Sequence, residues 1–74
     1  MASMSSQAIT IQVNGLKQEI PDGTTLEGLL CLFSLQKKSV AVERNHEVAD
    51  KATYALTELK ENDSIEIVHF VGGG

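Results

Sequence analysis

The chain has 74 residues, of which 42% are hydrophobic and 22% charged, and this size and composition allow one small globular domain without a large enclosed cleft. Ten acidic against six basic residues give a net charge of -4, and aromatic residues make up only 4%. Nucleic-acid binding requires a basic face and often aromatic stacking platforms, so we exclude that class of protein.

The single cysteine and the first residues bear on location. Cys31 has no partner for an internal disulfide, which suits the reducing cytoplasm. Residues 1–7 lack the basic and apolar regions of a secretory signal, and the longest apolar run, residues 29–33, is far too short for a membrane span. We expect a cytoplasmic protein whose residues 1–7 form a disordered segment, with residues 1–3 as a remnant of cloning.

The first predicted element is a β-hairpin. Residues 9–13 alternate apolar and polar side chains, as a half-buried strand does. Asn14-Gly15 follows, the dipeptide that best tolerates the positive φ angles of a tight hairpin turn. The return strand covers residues 16–20 and stops at the turn sequence of residues 21–23.

A helix is predicted next. Its apolar face has the spacing i, i+3, i+4, i+7 and consists of Leu26, Leu29, Leu30 and Phe33. Thr24 or Thr25 can cap its start, and Thr24 with Glu27 fits a capping box. Lys37 and Lys38 stand where cations favour a helix end. Gly28 weakens the helix, so its stability must come mainly from docking on a sheet.

The second half of the chain predicts three more strands. Residues 40–44 form a strand, residues 45–46 a turn and residues 47–48 a brief edge strand. A loop or short helical turn is expected between residues 50 and 59, held to the core by Tyr54, Leu56 and Leu59. A polar turn at residues 60–63 leads into the last strand, residues 65–71.

One helix must cover one face of one sheet, and residues 9–13 and 65–71 are best buried as central neighbours. The prediction is an α+β fold, a β-grasp (ubiquitin-like) roll over residues 8–71, with a mixed sheet covered by one main helix. The predicted core contains Ile9, Ile11, Val13, Leu26, Leu29, Leu30, Phe33, Val40, Val42, Ile65 and Ile67.

The chain carries no recognisable catalytic constellation. His46 and His69 are far apart in sequence and are expected at the surface, so no metal site is predicted. Cys31 is mid-helix, away from the helix N-terminus or cation that activates a thiol, and we interpret it as a plain surface thiol. We therefore predict neither an enzyme nor a bound cofactor.

The C-terminal residues Gly72, Gly73 and Gly74 remain to be explained. They can be a frayed tail or a cloning scar. Alternatively, they form a flexible reactive tail, because glycine backbone can pass through a channel too narrow for any Cβ. A terminal carboxylate is ionised at neutral pH and can attack a nucleotide α-phosphate.

The sequence resembles the ThiS family, the sulfur carriers of thiamine biosynthesis, over most of residues 9–74. The resemblance rests on Val13-Asn14-Gly15, Thr25-Leu26-x-x-Leu29-Leu30, Val40-Ala41-Val42-x-x-Asn45, and a final strand that runs directly into Gly72-Gly73-Gly74. Two departures stand out: Ala49-Asp50-Lys51 lacks the family's usual Pro-Arg, and Asn62 replaces a glycine. Asn tolerates the left-handed conformation, so the turn at Asn62 should survive.

The resemblance implies a mechanism. An ATP-dependent adenylating enzyme, related to the E1 enzymes of ubiquitin, would convert the Gly74 carboxylate to an acyl-adenylate. A persulfide from a cysteine desulfurase would replace AMP and leave a thiocarboxylate, and thiazole synthase would take that sulfur. The alternatives are the small subunit of molybdopterin synthase, a ubiquitin-like protein modifier, and an inert β-grasp binding module. The short 33–40 connection favours the thiamine branch over the molybdopterin one.

The alternation of the last strand also predicts a docking surface. If Ile65 and Ile67 point inward, then Val68 and Phe70 point outward, with Ala41 on the same side of another strand. Phe70 would then be an apolar anchor for the partner enzymes, close to the tail. The alternative is that Phe70 folds back over the sheet edge against the core.

Overall fold

A computed structural model describes residues 7–70 and contains one mixed five-stranded sheet in the order β2-β1-β5-β3-β4. The strands are β1 (Ala8–Val13), β2 (Leu16–Pro21), β3 (Val40–Arg44), β4 (Glu47–Val48) and β5 (Ser64–His69). The main helix, α1, covers Leu26–Leu32. Short 3-10 helices cover Lys37–Ser39 and Lys51–Leu56. The predicted order of elements and the β-grasp fold are confirmed. No helix within the described part of the chain has the length and apolarity needed to cross a membrane.

The two outer strands of the sequence are central neighbours in the sheet, as predicted. β1 pairs with β5 in parallel and with β2 in an antiparallel hairpin. Asn14 and Gly15 form the hairpin turn with φ angles of 52° and 86°, which are positive as the dipeptide indicated. β5 therefore lies between β1 and β3 and is held on both edges.

The helix begins at a single threonine cap. Thr25 Oγ1 accepts a hydrogen bond from the Gly28 amide at 3.1 Å, so Thr25 is the N-cap residue. The predicted capping box of Thr24 and Glu27 is wrong, because the Thr24 hydroxyl instead donates to the Pro21 carbonyl at 2.6 Å. Thr24 thus closes the turn before the helix and does not cap the helix itself.

The helix ends earlier than the lysines indicated. Ser34 has a left-handed φ of 59°, and its amide donates to Cys31 O at 3.0 Å while the Leu35 amide donates to Leu30 O at 2.8 Å. This is the Schellman arrangement, which satisfies the last helix carbonyls and stops the helix. Lys37 and Lys38 belong to the separate 3-10 helix and do not lie in the last turn of α1, so that expectation is wrong.

The core lies between α1 and one face of the sheet and includes nine of the eleven predicted residues. Ile9 and Phe33 are only half-buried and pack against it from the margin. Ile20, Tyr54 and Leu59 complete it, the last two as expected, whereas Leu56 is 80% exposed and its predicted core contact is wrong. Among the described residues, the buried hydrophobic side chains are Ile11, Val13, Ile20, Leu26, Leu29, Leu30, Val40, Val42, Tyr54, Leu59, Ile65 and Ile67.

Asp63 holds the turn that launches β5. Its carboxylate accepts hydrogen bonds from Arg44 Nε at 2.9 Å, Asn45 Nδ2 at 3.0 Å and the Lys60 amide at 2.8 Å. Burial alone would raise the pKa of Asp63, but these hydrogen bonds and the Arg44 charge outweigh burial and hold that pKa below 3.8, the ordinary value. Asn62, just before it, has the left-handed φ of 71° that was expected where the family has glycine.

We expect Asp63→Asn to destabilise the domain by about 1–3 kcal/mol, because it removes the acceptor charge from a buried network. A folded-state pKa below the unfolded one contributes stability that is complete above pH 3.8 and is lost as the pH falls through the folded value. Acid unfolding followed by circular dichroism should therefore be less steep for Asp63→Asn. Asp22→Asn, in an exposed turn, is the control. Equal acid profiles for wild type and Asp63→Asn would contradict the assignment.

Candidate functional site

The last strand alternates between the core and the uncovered face of the sheet. Ile65 and Ile67 are 0% and 7% exposed, and they pack in the same cluster as α1. Glu66 and Val68, between and after them, are exposed on the other face. The predicted period-two pattern of β5 is thus confirmed, and α1 covers only the face that carries the isoleucines.

Ala41 and Val68 lie directly opposite each other on β3 and β5. Directly paired residues on neighbouring strands point to the same face, so both side chains lie on the face that α1 leaves open. Val68 is 59% exposed and Ala41 is half-buried. The structure therefore brings these two predicted docking residues together.

Phe70 follows β5 and remains outside the core. Its amide donates to the Ser39 carbonyl at 3.0 Å, and its side chain is 54% exposed. The ammonium nitrogen of Lys51 lies 4.9 Å from the centroid of its ring, within the range of a cation–π contact. The alternative in which Phe70 folds back against the core is not what the structure shows. We call Ala41, Val68 and Phe70 the open-face patch.

The patch lies close to the end of the chain. Gly72, Gly73 and Gly74 lie outside the described residues, as does the N-terminal segment apart from Gln7. Four residues, 71–74, follow Phe70 in the sequence, and four extended residues span at most about 14 Å. A protein that binds the open-face patch therefore has Gly74 within that distance of Phe70.

Asn14 anchors β5 in a way that the sequence did not indicate. Asn14 Oδ1 accepts a hydrogen bond from the backbone amide of Ile67 at 2.8 Å, and Asn14 Nδ2 donates to the Ile67 carbonyl at 3.3 Å. These atoms continue the hydrogen-bond ladder between β1 and β5 beyond the point where β1 turns away. The two residues are 53 positions apart, and no local pattern announces a contact of that kind.

Lys51 is the second residue that the sequence did not identify. Asp50 caps the 3-10 helix by accepting from the Ala52 amide at 3.0 Å, which places Lys51 at the start of that helix. The segment that lacks the Pro-Arg of the family thus still brings a cation to Phe70. A lysine in a polar loop carries no signal that predicts an aromatic partner.

The remaining candidate side chains do not form a second site. His46 lies in an exposed turn with a φ of 72°, and His69 points to the opposite side of β5 from Val68. Cys31 is exposed on α1, which lies across the sheet from the open-face patch. Within residues 7–70, no group of three or more His, Cys, Asp and Glu side chains could hold a metal ion. The Tyr54 hydroxyl is buried without a hydrogen-bond partner, and burial raises the pKa of Tyr54.

Comparison with known proteins links this geometry to one family. The model of the ThiS family matches residues 7–74. The sulfur carrier protein ThiS of Bacillus subtilis is 46% identical over 65 residues, which cover 86% of this chain and 98% of that protein. A crystal structure of a ThiS thiamine biosynthesis protein from Geobacter metallireducens superposes with a TM-score of 0.77 and 29% identity, covering 89% of this chain and all of that one.

Two matching proteins are much longer than this chain. A thiazole synthase of Magnetococcus marinus is 48% identical over 64 residues, and one of Paramagnetospirillum magneticum is 39% identical over 62 residues. The matched parts make up 20% and 19% of those proteins, so this chain spans about a fifth of their length. In both, a domain similar to this chain is part of a protein named for thiazole synthesis.

Proposed function

The chain belongs to the ThiS family and is a sulfur carrier for thiamine biosynthesis, and from this premise we propose that the carboxylate of Gly74 carries the sulfur. The observation that supports this proposal is the position of β5, which ends near the C-terminal glycines and is held on both edges by β1 and β3. A carboxylate attached to so firmly held a strand can be delivered to a defined place by docking the domain.

The proposed chemistry takes place at the terminal carboxyl group in partner enzymes. The Gly74 carboxylate attacks the α-phosphorus of ATP in an adenylating enzyme, and pyrophosphate leaves. The terminal sulfur of a cysteine-desulfurase persulfide then attacks the acyl carbon and AMP leaves. A second thiol cleaves the sulfur–sulfur bond, forms a disulfide with the donor sulfur and leaves the thiocarboxylate, which thiazole synthase consumes.

Activation is necessary because a free carboxylate resists nucleophilic attack, whereas AMP is a good leaving group. The carrier itself supplies no general base or metal in this scheme, so we propose that it is a substrate and not an enzyme. In this proposal, ATP and the persulfide are used by the partner enzymes, and the carrier binds neither of them. We place all of these proteins in the cytoplasm, because the carrier has a single cysteine and needs no disulfide, which suits a reducing compartment.

Mass spectrometry of the protein isolated from cells tests the proposal against its alternatives. A thiocarboxylate, with sulfur in place of one carboxyl oxygen, is expected on Gly74. A ladder of conjugates to other proteins would instead indicate a ubiquitin-like modifier. An unmodified terminus in cells that are actively making thiazole would contradict the carrier chemistry.

We also propose that the open-face patch docks on both partner enzymes, the adenylating enzyme and thiazole synthase. Ala41, Val68 and Phe70 form an apolar surface that α1 does not cover, and Phe70 is an aromatic side chain of the kind that anchors interfaces. The thiazole synthases that contain a similar domain support contact with that enzyme. Docking at this patch would bring the tail to the partner's reaction centre.

Phe70→Ser is expected to weaken binding to each partner by about 1–3 kcal/mol while leaving the melting temperature nearly unchanged. The physical reason is that a half-exposed ring contributes little to the core but much to an interface that excludes water. Isothermal titration calorimetry measures the affinities. Leu32→Ser, which changes a 58% exposed residue on α1, is the matched control and should bind normally. Unchanged affinity of Phe70→Ser for both enzymes would refute docking at the open-face patch.

A further inference from the structure

Two glutamates lie directly opposite each other on the open face of the sheet. Glu43 on β3 pairs with Glu66 on β5, immediately beside the pair of Ala41 and Val68. The Phe70 amide donates to Ser39 O, so Ser39 and Phe70 are a hydrogen-bonded pair of the antiparallel ladder. Every second pair along the ladder is of this type, and the backbones of Glu43 and Glu66 therefore also form a hydrogen-bonded pair. The Cα atoms of such a pair are about 5.5 Å apart, and like charges in this position destabilise a sheet.

Within residues 7–70, neither Glu43 nor Glu66 forms an ion pair with a cationic side chain. Arg44 follows Glu43, but it pairs across the strands with inward-facing Ile65 and its guanidinium is bound to Asp63 at 2.9 Å. The other ion pair among the described residues joins Lys60 and Glu58 at 3.7 Å. The two carboxylates thus share one face with no lysine or arginine within ion-pair distance.

The acidic pair is continuous with apolar surface on both strands. Ala41 and Val68 flank it toward the tail, and Val48, which pairs with Glu43 on β4, is 76% exposed beside it. Lys51 lies at the opposite, tail-proximal end of the face, over Phe70. From the tail outward, the face therefore presents a cation, an apolar strip and two carboxylates, an order that gives it a direction.

We propose, on the basis of the proposed function, that Glu43 and Glu66 receive one arginine side chain of thiazole synthase when the open-face patch docks. Two carboxylates on one face at this spacing can both accept from a single guanidinium, whose planar fork offers several donors. Apolar side chains around that arginine would contact Val68 and Val48. The repulsion in the free carrier becomes attraction in the complex, so the pair acts as a specificity element.

Net charge favours a basic occupant of the face over a second copy of this chain. Each copy carries a net charge of -4, so two copies of the chain repel each other as they approach. A basic partner surface avoids that repulsion. One seated arginine would lie about 7 Å from Val68 along the strands and farther from the tail, so it fixes which way the tail points.

Glu66→Gln tests the proposal, with Glu19→Gln as the matched control. Glu19 is exposed on the same sheet face, on β2 opposite Thr10 and two strands from β5, so its loss changes the net charge by the same amount. Binding to the thiazole synthase of the same genome is measured by calorimetry at several salt concentrations. We expect Glu66→Gln to raise Kd about 5- to 20-fold and to flatten its salt dependence, against less than about 2-fold for Glu19→Gln.

Equal effects of the two substitutions would show that only net charge matters and would overturn the arginine contact. A carrier that is dimeric in sedimentation, with the dimer lost in Ala41→Glu, would assign the face to a second copy and overturn it as well. The melting temperature of Glu66→Gln should be equal to or above that of wild type, because the variant removes a like-charge contact. A fall in melting temperature would contradict the repulsion between Glu43 and Glu66.

The test is separable from the proposed function. Sulfur loading of Glu66→Gln by saturating adenylating enzyme and sulfur donor should reach the wild-type yield, because its Gly74 is intact. Failure of the wild-type protein itself to load would count against the carrier chemistry. Normal loading together with unchanged thiazole synthase binding in Glu66→Gln would count against the arginine contact alone.

Discussion

Deletion of Gly74 is expected to abolish thiocarboxylate formation completely and to leave thermal unfolding unchanged. The proposed chemistry needs the carboxylate at one exact distance from the docked domain, and removing one residue withdraws it by about 3.5 Å. The buried core residues of the described part, residues 7–70, run from Ile11 to Ile67, so the free energy of unfolding should not depend on the deleted glycine. A reconstituted assay with adenylating enzyme, persulfide donor and mass spectrometry measures the loading.

Two controls sharpen this experiment. Cys31→Ser should load as wild type does, because the thiol is exposed on α1 and the scheme gives it no role. Gly28→Ala, which alters a glycine inside the helix, tests whether any glycine change disturbs loading. Its added Cβ would lie 3.3 Å from Thr24 Cγ2, so the Thr24 side chain must shift slightly to accommodate it. Normal sulfur loading of the Gly74 deletion would refute the carrier proposal.

Leu30→Ala is expected to cost about 2–5 kcal/mol of unfolding free energy, the range found when a buried leucine leaves a cavity. Leu30 is 2% exposed and belongs to the buried cluster that α1 forms with the sheet. A domain this small has a free energy of unfolding near the low end of the usual range of about 5–15 kcal/mol, so the variant should retain only about 0–3 kcal/mol and melt at a clearly lower temperature. Urea denaturation followed by circular dichroism measures the difference.

Leu32→Ala is the matched control on the same helix. Leu32 is 58% exposed, so the same substitution there removes little buried surface and should cost less than about 1 kcal/mol. The contrast between the two variants reports which face of α1 contacts the sheet. Similar melting temperatures for Leu30→Ala and wild type would mean that the helix face has been assigned incorrectly.

The sequence by itself was sufficient for the elements and for the family. Alternation in residues 9–13 and 65–69, and the spacing of Leu26, Leu29 and Leu30, identified the buried faces of the strands and the helix. These patterns are readable because burial on one side of a strand or helix imposes a period of 2 or 3.6 on the chain itself. Asn14-Gly15 was equally readable, since its positive φ angles are a local property.

The C-terminal end of α1 was harder to predict from the sequence, for an energetic reason. Ser34 adopts the left-handed conformation at the C-terminus of α1, where glycine is the usual residue and serine is uncommon. Lys37 and Lys38 mimic a favourable helix terminus in sequence, although the left-handed Ser34 and the backbone hydrogen bonds of Ser34 and Leu35 end the helix before them. Leu56 is a similar case: its apolar side chain suggested burial, but the 3-10 helix turns Tyr54 inward instead.

What the tertiary structure alone decided is which distant side chains share the open face. The antiparallel register of β3 and β5 sets Ala41 against Val68 and Glu43 against Glu66, and the loop after β4 brings Lys51 to Phe70. A shift of one residue in that register would turn every side chain of a strand to the opposite face. Register depends on closing the whole sheet around its core, so the composition of a docking surface follows from long-range packing, whereas strand and helix periodicity follows from local burial.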